Sequence, residues 1–135
     1  MNAAESINYV AVIVAAVSSF VLGGLWYAPF LFGKAWMKET GLTEEQLGAR
    51  SLVLVFGLSF VLSLVGSFVF AMFLGPNPGF GLGFGAGLSA GLFWVAGSFG
   101  INYLFEKKSL KLWLINGGYH TLQYTLIGAV LGLLL

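Results

Sequence analysis

Cysteine is absent from this sequence of 135 residues, and histidine occurs once, at His120. The first absence excludes disulfides, thiol redox chemistry and thiolate metal sites. The second leaves a single chain too poor in ligands for a His-rich metal centre. Charge is almost as scarce. Six basic and five acidic residues make up 8% of the chain and leave a net charge of +1, where a soluble domain carries about 25% charged residues. So few charges cannot clothe a globule in water, and so small a net charge gives no reason to expect a nucleic-acid partner. A basic leader is missing too: Met1-Asn2-Ala3-Ala4-Glu5 lacks the positive start of a signal peptide, and the apolar run behind it is too long for one. Within reach of a bilayer there is no metal cluster, carboxylate pair or activated nucleophile, so the chain reads as non-enzymatic and without a cofactor or metal.

What the chain has in quantity is apolar surface. Hydrophobic residues make up 59% of it. They gather in four runs free of Asp, Glu, Lys and Arg, at 6–33, 51–74, 80–105 and 112–135. Each exceeds the ~20 residues that cross a hydrocarbon core of ~30 Å at ~1.5 Å per residue. Backbone groups in lipid must bond within their own segment, so these runs are helices. The expected fold is all-α: one domain, 1–135, of four transmembrane helices in an up-down-up-down bundle, with spans of about 7–28, 51–74, 80–105 and 112–135.

The basic residues orient it. Lys34, Lys38 and Arg50 lie between the first two runs, and Lys107, Lys108 and Lys111 between the last two. The positive-inside rule then puts both loops in the cytoplasm and both termini outside, in what reads as a bacterial inner membrane. Glu5, Asn8 and Tyr9 mark the outer end of the first helix; Trp26, Tyr27, Trp36 and Trp113 fall at the inner interface. Pro29 ends or kinks the first helix. Residues 34–40 form a short interfacial turn with Trp36 facing lipid. Thr43-Glu44-Glu45-Gln46 has the form of a capping box that starts the second helix, and Gly75-Pro76-Asn77-Pro78-Gly79 is a tight external turn joining helices two and three as an antiparallel hairpin.

Each helix carries small residues at every fourth position: Ala11, Ala15, Ser19 and Gly23; Ser59, Ser63, Ser67 and Ala71; Gly79, Gly83, Gly87 and Gly91; Gly117, Thr121, Thr125 and Ala129. Such stripes let backbones approach where lipid gives no hydrophobic drive, so Gly83, Gly87 and Gly91 are expected packing residues. Glycine on more than one face points to a homo-oligomer, most simply a dimer. The segment from Gly24-Leu25-Trp26-Tyr27 to Phe32-Gly33 is echoed by Gly91-Leu92-Phe93-Trp94 to Phe99-Gly100. The echo suggests an inner membrane boundary used twice, in a parallel repeat of two helix pairs.

Polarity concentrates in the last run. Asn116, His120 and Gln123 share one helical face with Ile127, flanked by Thr121 and Tyr124. His120 lies nine residues beyond Lys111, ~13–14 Å into the bilayer at ~1.5 Å per residue. An ionisable residue at that depth is a functional candidate, and a histidine can change charge near neutral pH. Asn116, His120, Gln123 and Tyr124 form a candidate pocket for a small ligand, proton or ion, in a transporter or channel-like protein. Tyr27, Asn102 and Tyr103 form its candidate inner mouth. Two other readings stay open for this face: hydrogen bonds between helices alone, in a protein of membrane assembly or lipid binding, or haem or metal ligation across an oligomer.

The string Trp26-Tyr27-Ala28-Pro29-Phe30-Leu31-Phe32-Gly33-Lys34-Ala35-Trp36, followed by Gly41-Leu42-Thr43-Glu44-Glu45, resembles a family of small bacterial and eukaryotic membrane proteins, domain-of-unknown-function family 1761. The segment Gly117-Gly118-Tyr119-His120, with Gly128 after it, is similar to that family's last helix. Ala28 stands where many members are expected to have Ser. The resemblance implies a four-span integral membrane protein and no particular activity.

Overall fold

The structure, a computed structural model, describes residues 7–135; Glu5, read above as a marker of the outer end, lies outside the described residues. All regular structure among the described residues is helical. The helices are α1 (Tyr9–Trp26), α2 (Gly33–Thr40), α3 (Glu44–Gly48), α4 (Leu52–Leu74), α5 (Phe80–Glu106) and α6 (Leu110–Leu134). Helix α5 is continuous, but its middle, Ala90–Ala96, winds as a π-helix.

Three of these helices, α1, α4 and α5, are long and apolar enough to cross a membrane. The fourth expected span, 112–135, is not among them. Helix α6, at 25 residues, is long enough at ~1.5 Å per residue. Asn116, His120, Gln123 and their polar neighbours make it less apolar than the others. It can carry them because one side of it packs against its neighbours: buried residues run along it from Leu112 to Gly132, while leucines such as Leu114 and Leu122 are exposed. Helix α6 lies between α1 and α5, and α4 packs against α1. Helices α4 and α5, although joined by a short turn, pack on α1 and α6 respectively rather than forming a close hairpin.

At one end, the Asn8 carboxamide caps α1, accepting from the Val10 and Ala11 N–H groups at 3.0 and 3.3 Å, while its Nδ2 donates to the Leu134 carbonyl at 3.3 Å. Nearby, Ala11, Val12 and Ala15 of α1, Ala71 of α4, and Ile127 and Leu131 of α6 form a closed apolar core. Alanine at these positions brings the axes close enough for dispersion contacts to add up.

The helix starts and stops correct several expectations. Helix α1 runs from Tyr9 to Trp26 rather than 7–28. Asn8 caps its start, and the constraint that Pro29 puts on Ala28 makes the chain leave the helix at Tyr27. The capping box is present, with the Gln46 N–H donating to Thr43 Oγ1 at 3.1 Å and the Thr43 N–H to Gln46 Oε1 at 2.9 Å. However, it opens only the five-residue α3. Gly48 weakens that helix, and Ser51 starts a new one by accepting from the Leu54 N–H at 3.4 Å. The two echoed stretches also differ in backbone. The first leaves the helix and turns, while Gly91–Gly100 stays helical and α5 ends only at Glu106. Pro29 has no counterpart in the second stretch, which therefore marks no boundary.

Candidate functional site

The Trp-Tyr-Ala-Pro turn builds one wall of the site. Beyond α1 the chain folds back: the Phe32 N–H donates to the Trp26 carbonyl at 3.1 Å, and those of Leu31 and Gly33 to the Ala28 carbonyl at 3.0 Å. Gly33 is buried in this turn, where a Cβ would collide with the Tyr27 carbonyl oxygen. Phe32 tilts onto the Trp26 ring at 4.6 Å between centroids. The result aims two side chains at α6. Trp26 Nε1 donates to the Ile115 carbonyl at 2.9 Å, and the Tyr27 hydroxyl to Asn116 Oδ1 at 2.6 Å. Asn116 Nδ2 donates to the Tyr103 hydroxyl of α5 at 2.7 Å, so α1, α6 and α5 are tied through one carboxamide.

Helix α2 covers this triad. Trp36, half-buried, meets Tyr27 edge-on at 5.9 Å, so part of the ring packs on the protein. The other end of α2 is held by Ser109 Oγ donating to Glu39 Oε1 at 2.8 Å. The same Ser109 oxygen caps α6 by accepting from the Leu112 N–H at 3.0 Å.

One turn further along α6 lies His120. Its ring stacks on Phe99 (5.0 Å, 11° between planes) and touches Tyr119 (4.9 Å). His120 Nδ1 is 2.7 Å from Gln123 Oε1, and Gln123 Nε2 is 3.4 Å from Ser63 Oγ of α4. Ser63 Oγ meets Ser19 Oγ of α1 at 2.9 Å, and the Ser19 hydroxyl donates to the Ala16 carbonyl at 2.9 Å. Gln123 is buried and His120 half-buried. Beyond Gln123 and Ser63 come the buried hydroxyls of Thr125 and Ser67, the latter without a hydrogen-bond partner among the described residues, and then Ala71, Ile127 and Leu131 close the interior. The continuous hydrogen-bonded seam therefore occupies the half of the molecule nearer the lysines.

The α5–α6 interface fixes the seam's register. A Cβ on Gly83 would strike the Gly128 carbonyl oxygen, one on Gly87 the Tyr124 carbonyl oxygen, and one on Gly91 would come within 2.8 Å of the His120 carbonyl oxygen. Backbone approach this close suits Cα–H···O contacts. The π segment continues it. Trp113 Nε1 donates to the Ala96 carbonyl at 2.8 Å, and past that segment Phe99 comes to lie over the His120 ring.

Of the residues singled out from the sequence, Asn116, Tyr27 and Tyr103 thus meet in one cluster, and His120 and Gln123 in another. Tyr124 lies to the side against Phe70 of α4, with ring centroids 6.0 Å apart. Asn102 is exposed, because one residue from Tyr103 is about 100° round the helix, and it does not join the Tyr27–Asn116–Tyr103 cluster. The sequence pattern places Ser19 and Ser63 only as small residues in stripes and gives no sign of Phe99 or of the Glu39–Ser109 bond. The serine stripes were the available signal, but nothing in their spacing distinguishes a hydrogen-bonding serine from a merely small one. No group of three His, Cys, Asp or Glu placed to hold a metal occurs among the described residues. Two surface clefts lie elsewhere. One of about 180 Å³ at the far end is lined by Asn8, Ala71, Asn77 and Leu135 among others, and a shallow apolar one sits between Leu22, Phe84 and Leu126.

Residues 10–132 match the family described as "Protein of unknown function (DUF1761)", and the chain belongs to that family. No curated protein and no solved structure matches it.

Proposed function

We propose that this member of the DUF1761 family is a four-span integral membrane protein, with helices alternating up and down and the lysine-bearing loops in the cytoplasm, and that it binds a membrane-dissolved ligand or partner without enzymatic chemistry. Supporting the fourth crossing are the length of α6 and its neighbours at both ends: Asn8 at Leu134, and Trp26 at Ile115. A polar helix can lie at membrane depth when its polar groups face protein.

One observation carries the binding reading. The continuous hydrogen-bonded chain ends in the lysine-side half at Gln123 and Ser63, and past the Ser67 hydroxyl, unpartnered among the described residues, the apolar residues Ala11, Ala15, Ala71, Ile127 and Leu131 close the interior. A conduit needs polar or open lining from face to face, whereas a binding site needs it on one side only. A transporter that alternates between conformations is the second reading, favoured by the titratable His120 inside the bundle. Purified protein in liposomes separates the two. Proton and potassium flux no greater than in empty vesicles, together with a lipid or membrane protein retained in native mass spectrometry, supports binding. Flux abolished by His120→Ala supports transport. We further propose a homo-oligomer, most simply a dimer; the support is a second α5 stripe, where a Cβ on Gly81 or Gly85 meets nothing within 4 Å.

A further inference from the structure

The hydrogen bonds around His120 form a chain whose direction can be worked out proton by proton. The Ser19 hydroxyl gives its only proton to the Ala16 carbonyl. The 2.9 Å contact between Ser19 and Ser63 is then a bond only if Ser63 donates. With its proton spent, Ser63 can only accept from the residue on its other side, so the Gln123 amide must turn Nε2 toward it. That leaves Gln123 Oε1 facing His120 Nδ1 at 2.7 Å. A carboxamide oxygen has no proton to give, so the imidazole must carry its proton on Nδ1. In the reverse direction Ser63 would donate to Gln123, and Ser19 would have to serve both Ser63 and the Ala16 carbonyl with one hydrogen. Only the first direction turns every short contact into a bond.

We infer that this relay holds neutral His120 as the Nδ1–H tautomer, so that Nε2 is a hydrogen-bond acceptor that takes the hydroxyl of a lipid-soluble alcohol or phenol. Free imidazole side chains prefer the proton on Nε2, so the relay imposes the less common form. The tautomer follows from the hydrogen bonds alone; the ligand rests on the binding reading above. Its chemistry follows from the surroundings. Phe99 covers one face of the ring and Tyr119 packs beside it, while Gln123 occupies Nδ1. The ring is half-buried, so part of it is reachable. Helix α2 covers the lysine-side cluster, and the apolar core closes the other end. A ligand reaching Nε2 thus comes from the bilayer: apolar in bulk, with one donor to offer.

The lone histidine makes the test unambiguous, because ¹⁵N-histidine labelling reports on one residue. In lipid nanodiscs near pH 8, solid-state NMR should show a protonated Nδ1 and a pyridine-type Nε2. Gln123→Leu should move the proton to Nε2, and Gln123→Glu, which keeps an acceptor, should leave it on Nδ1. Ser63→Ala serves as a gentler second variant and should shift the tautomer population in the same direction as Gln123→Leu. Adding a lipid-soluble alkylphenol should move the Nε2 resonance saturably, while its methyl ether, which cannot donate, should not. A wild-type proton on Nε2, or a tautomer indifferent to both Gln123→Leu and Ser63→Ala, overturns the relay. An Nε2 resonance that responds equally to phenol and ether, or to neither, overturns the ligand. Neither result depends on whether the vesicles show flux.

Discussion

At the scale of single residues, the glycines of α5 offer a matched pair. Gly87 faces the Tyr124 backbone, which cannot move aside, whereas Gly85 faces open space. Gly87→Ala should cost about 1–3 kcal/mol, the usual penalty of overpacking. In detergent that separates the copies, Gly85→Ala should gain about 0.5–1 kcal/mol, since alanine loses less backbone freedom in a helix. Reversible unfolding in mixed detergent micelles measures both; equal effects would mean that α5 does not meet α6 through this stripe. Lys107 makes a smaller case. It ends α5 in the left-handed region, at φ 57°, so Lys107→Gly should stabilise by about 1 kcal/mol in the same assay. The sequence made the stripes visible because a four-residue spacing follows the helical turn. It did not say which stripe faces inward. Gly79, Gly83, Gly87 and Gly91 and the set Gly81, Gly85 and Ser89 are equally small; only the opposing Tyr124 and Gly128 backbone decides between them.

At the scale of elements, the three-helix knot at Asn116 predicts a specific non-additivity. Tyr27→Phe and Tyr103→Phe should each cost about 0.6–1.7 kcal/mol, the range for hydrogen bonds between membrane helices. Once Asn116→Leu has removed the shared carboxamide, either tyrosine change should cost much less. Denaturation of the single and double variants checks this, and strictly additive costs would show that the three groups do not act together. The π segment is a second element-scale device. Such turns arise as one-residue insertions in an α-helix. Deleting the exposed Leu92 should restore plain α geometry and turn the following residues by about 100°, taking Phe99 off His120 and Trp113 off Ala96. A red-shifted tryptophan emission with loss of stability is the expected result. Hydropathy could not reveal this winding, because Ala90-Gly91-Leu92-Phe93-Trp94-Val95-Ala96 contains no proline or charge to mark it. The short α2 and the Thr43 cap were legible from local chemistry. The docking of α2 was not, since Trp36 on Tyr27 and Glu39 on Ser109 join residues distant in sequence.

At the scale of the whole molecule, the proposed four-span arrangement turns on α6 crossing the bilayer with the other three helices. Hydropathy and packing pull in opposite directions here: the polar groups of α6 make it the least apolar of the four long helices, yet α1 and α5 cover the side that carries them. If it crosses, its end at Leu134 lies on the same side as the 75–79 turn. If it does not, that end stays with Lys107 and Lys108. The absence of cysteine from the chain makes this testable without removing any native thiol. Single cysteines in place of the exposed residues Asn77, Lys108 and Leu133 can each be offered an impermeant maleimide from outside intact cells. Asn77→Cys and Leu133→Cys should react at once, and Lys108→Cys only after permeabilisation. Leu133→Cys behaving like Lys108→Cys would leave α6 on the cytoplasmic side. In that case the His120 relay would sit in the inner leaflet interface, and the bilayer route proposed for its ligand would fail with it.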